Sequence, residues 1–315
     1  MIKPKLIDYL AEKSGIRNKG LIEKDFIIQS LLVSFSKNNY ISRNFAFKGG
    51  TCLVKCYLGY FRFSEDLDFT FINQNSFKNK SEKEVRRFLS AEINKLSGII
   101  ADISNSYSLD FKAEKHNKKY VEFGGSNKFL TLKIWYTSSV SKLEQFIKIQ
   151  INFVDIFMYK FKELVAEPLF SVQKKEAEFL FPDYSHILLA KPKLIVYDIQ
   201  ELLLEKVRAI LTRREIKARD FVDVYLITKK LNKNIRVFKE SIVLKVIFML
   251  KYEKYKENLE EKKHIKDWIK AGQEHYLLLK PLNRFEQFLR EIKPFINELV
   301  KEILKNGHNP IGKKA

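Results

Sequence analysis

Hydrophobic positions along the chain change period more than once, and the changes divide it. Leu21, Ile22, Phe26, Ile27, Leu31 and Leu32 recur at helical spacing within a stretch that predicts a helix over 5–36, closed by Asn38 and Asn39. Residues 44–48 form a short apolar run, predicted as a strand, that meets Gly49 and Gly50. Thr51 is then placed to cap a helix carrying Leu53, Val54, Tyr57 and Leu58, ending near Gly59. A second strand is expected over 66–72, and a helix over 81–97 with Ser81 as its cap.

Strict alternation follows. Leu130, Leu132 and Ile134 alternate with Thr131, Lys133 and Trp135; Ile147, Ile149, Ile151 and Phe153 alternate with Lys148, Gln150 and Asn152. That is the pattern of half-buried, antiparallel sheet. The segment 107–112 is a candidate for one more strand. Beyond about residue 170 the strands are expected to stop, and 198–214, 219–231, 235–256 and 281–305 carry helical periodicity. The tail from Asn306 to Ala315, rich in Gly, Pro and Lys, is expected to fray. The predicted class is α+β: a mixed α/β domain over 1–170, then a helical domain over 171–315.

Composition narrows the class. No apolar run approaches the length of a membrane span, and the N-terminus leads into a helical pattern without a signal-peptide core, so a soluble cytoplasmic protein is expected. Cys52 and Cys56, one helical turn apart, are expected as reduced thiols. Five scattered histidines give no zinc spacing. A formal net charge of +20 favours polyanionic partners, RNA among them, although a lysine-rich host composition would produce the same excess. Lys83, Arg86 and Arg87 could meet RNA phosphates or simply form a solvated helix face.

The chemistry concentrates in two short blocks. A glycine pair after an apolar run lets backbone amides approach a phosphate, so Lys48, Gly49, Gly50, Thr51 and, further on, Ser64 are candidate phosphate-binding residues. Asp66 and Asp68 alternate with Leu67 and Phe69, which on a strand points both carboxylates to one face. Paired acids of this kind hold Mg²⁺ against a nucleotide's phosphates. Each block alone is common; strand, Gly-Gly, helix and Asp-x-Asp strand in succession resembles the nucleotidyltransferase fold of DNA polymerase beta type.

Reading outward, Glu23-Lys24-Asp25-Phe26, Phe47-Lys48-Gly49-Gly50-Thr51, Arg62-Phe63-Ser64-Glu65-Asp66-Leu67-Asp68, Leu204-Glu205-Lys206-Val207-Arg208-Ala209 and Arg219-Asp220-Phe221-Val222-Asp223 occur in that order. This set, over roughly residues 15–230, resembles the AbiEii toxin family, to which the MenT toxins are related. The resemblance implies an Mg²⁺-dependent enzyme that moves a nucleoside monophosphate from an NTP to RNA, most plausibly the 3′ end of tRNA, with a cognate antitoxin as partner. It implies Asp66 and Asp68 as metal ligands and, with Lys206 and Asp220, as catalytic residues. Two alternatives stand beside it: a protein or small-molecule hydroxyl as acceptor, or an inactive nucleotide- or RNA-binding module. The strand expected to carry a third carboxylate reads Ile147-Lys148-Ile149-Gln150-Ile151-Asn152, amides in place of acids, which leaves Asp155 or Asp220 to supply it. Arg219, Asp220 and Asp223 could equally form an exposed ion-pair cluster.

Overall fold

The structure, a computed structural model, describes residues 2–125, 127–264, 268–269 and 278–307. It divides into two units, 1–155 with 161–197, and 156–160 with 198–315. The expected fraying of 306–315 lies for the most part outside the described residues.

In the first unit the predicted opening helix is two helices, α1 (Pro4–Ser14) and α2 (Lys19–Lys37). Gly15 ends α1 with a φ of 68°, the left-handed conformation that glycine adopts without strain. Asn38 ends α2 and its side chain caps a short α3 (Asn39–Asn44), which periodicity over so few residues does not reveal. β1 (Phe45–Lys48) follows, then α4 (Gly49–Cys52), which continues as a wider π-helical segment, Leu53–Leu58, to Gly59. The helix begins at Gly49, so Thr51 lies inside it and caps nothing.

β2 (Asp66–Phe71) precedes α5 (Glu82–Ser106), whose Ser81 cap is reciprocated by Glu84 in a capping box. The segment around 107–112 contributes only an isolated bridge between Asp110 and Trp135. β3 (Val121–Gly124), β4 (Phe129–Thr137), β5 (Glu144–Asn152) and β6 (Lys162–Val165) come next, with β4 and β5 antiparallel as the alternation predicts. Two short helices, α6 (Lys174–Leu180) and α7 (Ser185–Leu188), lead to β7 (Lys193–Val196). The strands therefore do not stop at 170. Four residues are too few to show a period, and β7 is identified by its partners, β6, which it pairs antiparallel, and β1, which it pairs in parallel.

One mixed sheet, ordered β3-β4-β5-β2-β1-β7-β6, unites all seven strands. The apolar side chains of β1, β2, β4 and β5 share one face, where Phe35 of α2 meets Phe69 and Phe88 of α5 meets Phe71 edge to face. The other face of β2 carries Asp66, Asp68 and Thr70. Because the side-chain period is two, the burial of Leu67, Phe69 and Phe71 fixes where the acids point.

The second unit packs α8 (Ile199–Thr212), α9 (Ala218–Leu231), α10 (Lys239–Met249), α11 (Glu253–Glu261) and α12 (Phe285–Gly307). The helix expected over 235–256 is instead a 3₁₀ turn, Ile235–Phe238, followed by α10, a break and α11. Its core holds a buried ion pair: Lys245 meets Glu201 at 2.8 Å and also donates to the Ile156 carbonyl. Burial raises the Glu201 carboxyl above its ordinary range against the lowering pull of Lys245.

Candidate functional site

Register assembles the polar face. Lys48 lies opposite Asp68 on antiparallel β1, and Gln150 lies opposite Asp68 on parallel β5, so the three side chains form a row. Asp66 pairs with Lys148, and Thr70 pairs with Ala46 and Asn152. Asp66, Asp68 and Lys48 are each only partly covered.

The glycine turn closes onto this row. Gly49 has a φ of 78°, and a Cβ built there would stand 2.7 Å from Cγ of Asp68. Gly50 faces Arg62 and Ser64: its Cβ would lie 2.7 Å from an Arg62 guanidinium nitrogen and 2.9 Å from the Ser64 hydroxyl. Neither position accepts a side chain without displacing a polar group. Thr51 is buried, its hydroxyl bonded to the Asp66 carbonyl and lying 2.9 Å from Ser64. It ties the helix after the turn to the start of β2.

The early motif acids brace the same elements. Asp25 meets Lys55 at 3.1 Å, and Lys55 also reaches Gln29 and Tyr60. Lys55 is wholly buried, so Asp25 matches a charge that has left water. Burial, reinforced by Asp25, holds the Tyr60 hydroxyl well above its usual range. Lys24 pairs with Glu65 at 2.6 Å, linking α2 to the segment before Asp66. Cys52 and Cys56 are free thiols. Burial, then the hydrogen bond with Cys56, then the nearby charge of Asp68 push the Cys52 thiol up.

Asp155 lies three residues past the end of β5 and is almost fully buried. Its Oδ2 accepts from Tyr197 at 3.0 Å and Asn152 at 3.1 Å, and meets Lys48 at 3.5 Å. The Tyr197 hydroxyl also contacts Thr70 at 2.8 Å, and Lys48 lies over the Tyr197 ring. Sequence patterning does not mark Tyr197, which enters the network only because β7 lies beside β1. Its backbone amide donates to the Phe47 carbonyl.

The donors on this face are oxygens, the set that suits a hard divalent cation. Beside the two carboxylates are the Gln150 and Asn152 amides, and Asn152 Oδ1 is buried without a hydrogen-bond partner. Among the described residues no three of His, Cys, Asp and Glu come together to hold a metal. Mg²⁺ nevertheless commonly rests on one or two carboxylates, substrate phosphates and water, so Asp66 and Asp68 fit a cation that arrives with a nucleotide.

Lys206, Asp220 and Asp223 meet within the second unit. Lys206 on α8 lies 2.7 Å from Asp223 and 3.5 Å from Asp220 on α9, and Arg213 reaches Asp220 at 2.5 Å. Both acids are buried, so this is no exposed, solvent-screened cluster. Asp223 is as much a part of it as Asp220.

A family profile described as "Nucleotidyl transferase AbiEii toxin, Type IV TA system" matches residues 31–305. Among solved structures, JHP933 from Helicobacter pylori is similar over 92% of this chain and 96% of its own, at 14% identity and a TM-score of 0.41. A candidate nucleotidyltransferase from H. pylori is similar over 93% and 98%, at 15% identity and a TM-score of 0.42. No curated protein sequence matches the chain. No helix among the described residues is long and apolar enough to cross a membrane.

Proposed function

The chain belongs to the AbiEii family of nucleotidyl transferase toxins of type IV toxin–antitoxin systems, and on that premise we propose that it transfers a nucleoside monophosphate from an NTP to the 3′ end of tRNA, releasing pyrophosphate. The observation that supports the site reading is that the Asp68 carboxylate fills the space a Cβ would need at Gly49, so the glycines we assign to phosphate lie beside the acid pair.

In this reading Asp66 and Asp68 hold Mg²⁺, which when bound neutralises charge on the reacting phosphate and on the pyrophosphate that leaves. The bare backbone at Gly49 and Gly50 lets the phosphates approach amide donors, with the Ser64 hydroxyl beside them. Lys48 contributes its ammonium to the phosphates; Asp155 is a positioning residue that holds this ammonium at the edge of the acid row. The family resemblance assigns catalytic roles to Lys206 and Asp220, and Asp223 fixes Lys206. The net charge of +20 supports a polyanionic acceptor, and the partner is a cognate antitoxin.

The test is incubation with Mg²⁺, each labelled NTP in turn and total tRNA, beside an Asp66→Ala/Asp68→Ala control. Label on tRNA that disappears in the control is expected. Unlabelled tRNA with nucleotide binding intact would transfer the reading to another acceptor or to an inactive binder.

A further inference from the structure

Away from the acid row, the first unit contains a cavity of about 380 Å³, within the size range of small-ligand sites. It opens where β4 ends at Tyr136 and Thr137, against α2 and the segment around Tyr184. Phe26, Tyr107, Trp135, Tyr136 and Tyr184 give it aromatic walls, and Phe26 and Tyr184 stand edge to face at 5.8 Å.

Four carboxylates line the same space, in a protein whose formal charge is +20. Three are matched at the rim: Asp110 and Glu144 share Lys119 at 3.1 and 3.3 Å, and Asp183 meets Lys3 at 2.7 Å. The fourth, Glu23, is 1% exposed. It accepts from the Ser138 hydroxyl at 2.5 Å and the Ser139 amide at 2.6 Å, both neutral donors. Among the described residues no lysine, arginine or histidine pairs with it. Asp25, two residues on, shows the contrast, since its charge is met by Lys55.

A carboxylate out of water is costly unless a cation balances it, and two neutral hydrogen bonds leave some of its acceptor sites open. Aromatic faces attract cations for a separate reason, the negative potential above the ring. Behind burial, the charges of Glu23 and Glu65 help to hold the Tyr136 hydroxyl above its usual range.

We propose that this cavity binds a small organic cation, a primary ammonium on a flat apolar body, with the ammonium against Glu23 and the body between the aromatic rings. The alternative role for Glu23 is purely structural, tying the turn after β4 to α2. The two readings differ in charge selectivity.

Tryptamine and its neutral isostere tryptophol would be titrated into the full chain by calorimetry, without nucleotide. Expected is saturable tryptamine binding at least about 10-fold tighter than tryptophol, lost in Glu23→Gln. Gln keeps an acceptor for the Ser139 amide while removing the charge. Should Glu23→Gln fail to fold, Ser30→Leu fills the cavity from α2 with Glu23 intact, and it too is expected to abolish binding. Equal affinity for the two probes, unchanged binding in a folded Glu23→Gln, or no saturable tryptamine binding to the unaltered chain would each overturn the proposal. None of these outcomes depends on nucleotide transfer, so the reading of Asp66 and Asp68 is tested separately.

Discussion

Asp68 fills the side-chain space of Gly49: the volume a Cβ would need at Gly49 is occupied by the Asp68 carboxylate. The φ of 78° at Gly49 independently disfavours any other residue.

Gly49→Ala is therefore expected to displace Asp68 as well as strain the turn. Strain of this kind costs about 1–3 kcal/mol, so the variant should fold with a lowered melting temperature. Its nucleotide transfer should fall by more than about 100-fold, since misplacement by an ångström is enough for that loss. Normal transfer by Gly49→Ala would remove the turn from the site.

The acid row has two carboxylates, and its neighbours at positions 150 and 152 are amides. With NTP present, Mn²⁺ titration followed by electron paramagnetic resonance is expected to show one tight ion per chain, absent in Asp66→Asn/Asp68→Asn. Gln150→Asp, which puts a third acid beside Asp68, should tighten that binding. Two tight ions in the unaltered chain would contradict this account of the donors.

Asp155→Asn keeps the shape of the network with Tyr197 and removes the charge facing Lys48. A loss of about 10-fold in kcat/KM is expected, the scale of an outer-shell partner. A pH profile separates positioning from base catalysis: a positioning role preserves its shape, whereas a base would remove its acidic limb.

Lys245→Met leaves Glu201 buried and unmatched, and should destabilise the chain by about 3–5 kcal/mol. Burial already raises the Glu201 carboxyl, so its share of stability is full below the unfolded carboxyl range and is lost as pH rises through the higher folded value. Removing Lys245 removes a lowering influence and raises that folded value further. The deficit of the variant, measured by denaturant unfolding, should therefore be larger at pH 8 than at pH 5.

The Cys52 thiol, pushed up by burial, should remain protonated and unreactive toward a disulfide reagent at pH 8 in the folded chain. Cys56, half-buried, is expected to react first. Labelling counted by mass spectrometry, with and without denaturant, checks both.

Much of this architecture is legible in the sequence because it depends on local rules. The alternation in β4 and β5, the capping box at Ser81, the paired acids of β2 and the glycines that open α4 each announce themselves over a few residues. Lys206 and Asp220 are singled out only by the family resemblance, and the structure brings the two together at 3.5 Å.

Tertiary structure decided the rest. β7 is four residues long and gains its identity only from pairing, with β6 on one side and β1 on the other; its place beside β1 is what brings Tyr197 to Asp155 and Lys48. Asp25 and Glu23 read alike in sequence, yet Lys55 meets one and no described cation meets the other, because charge matching depends on which distant element packs alongside. Asp223 changes from a candidate surface charge to a buried partner of Lys206 for the same reason. Periodicity determines which face a side chain takes; only packing determines what stands opposite it.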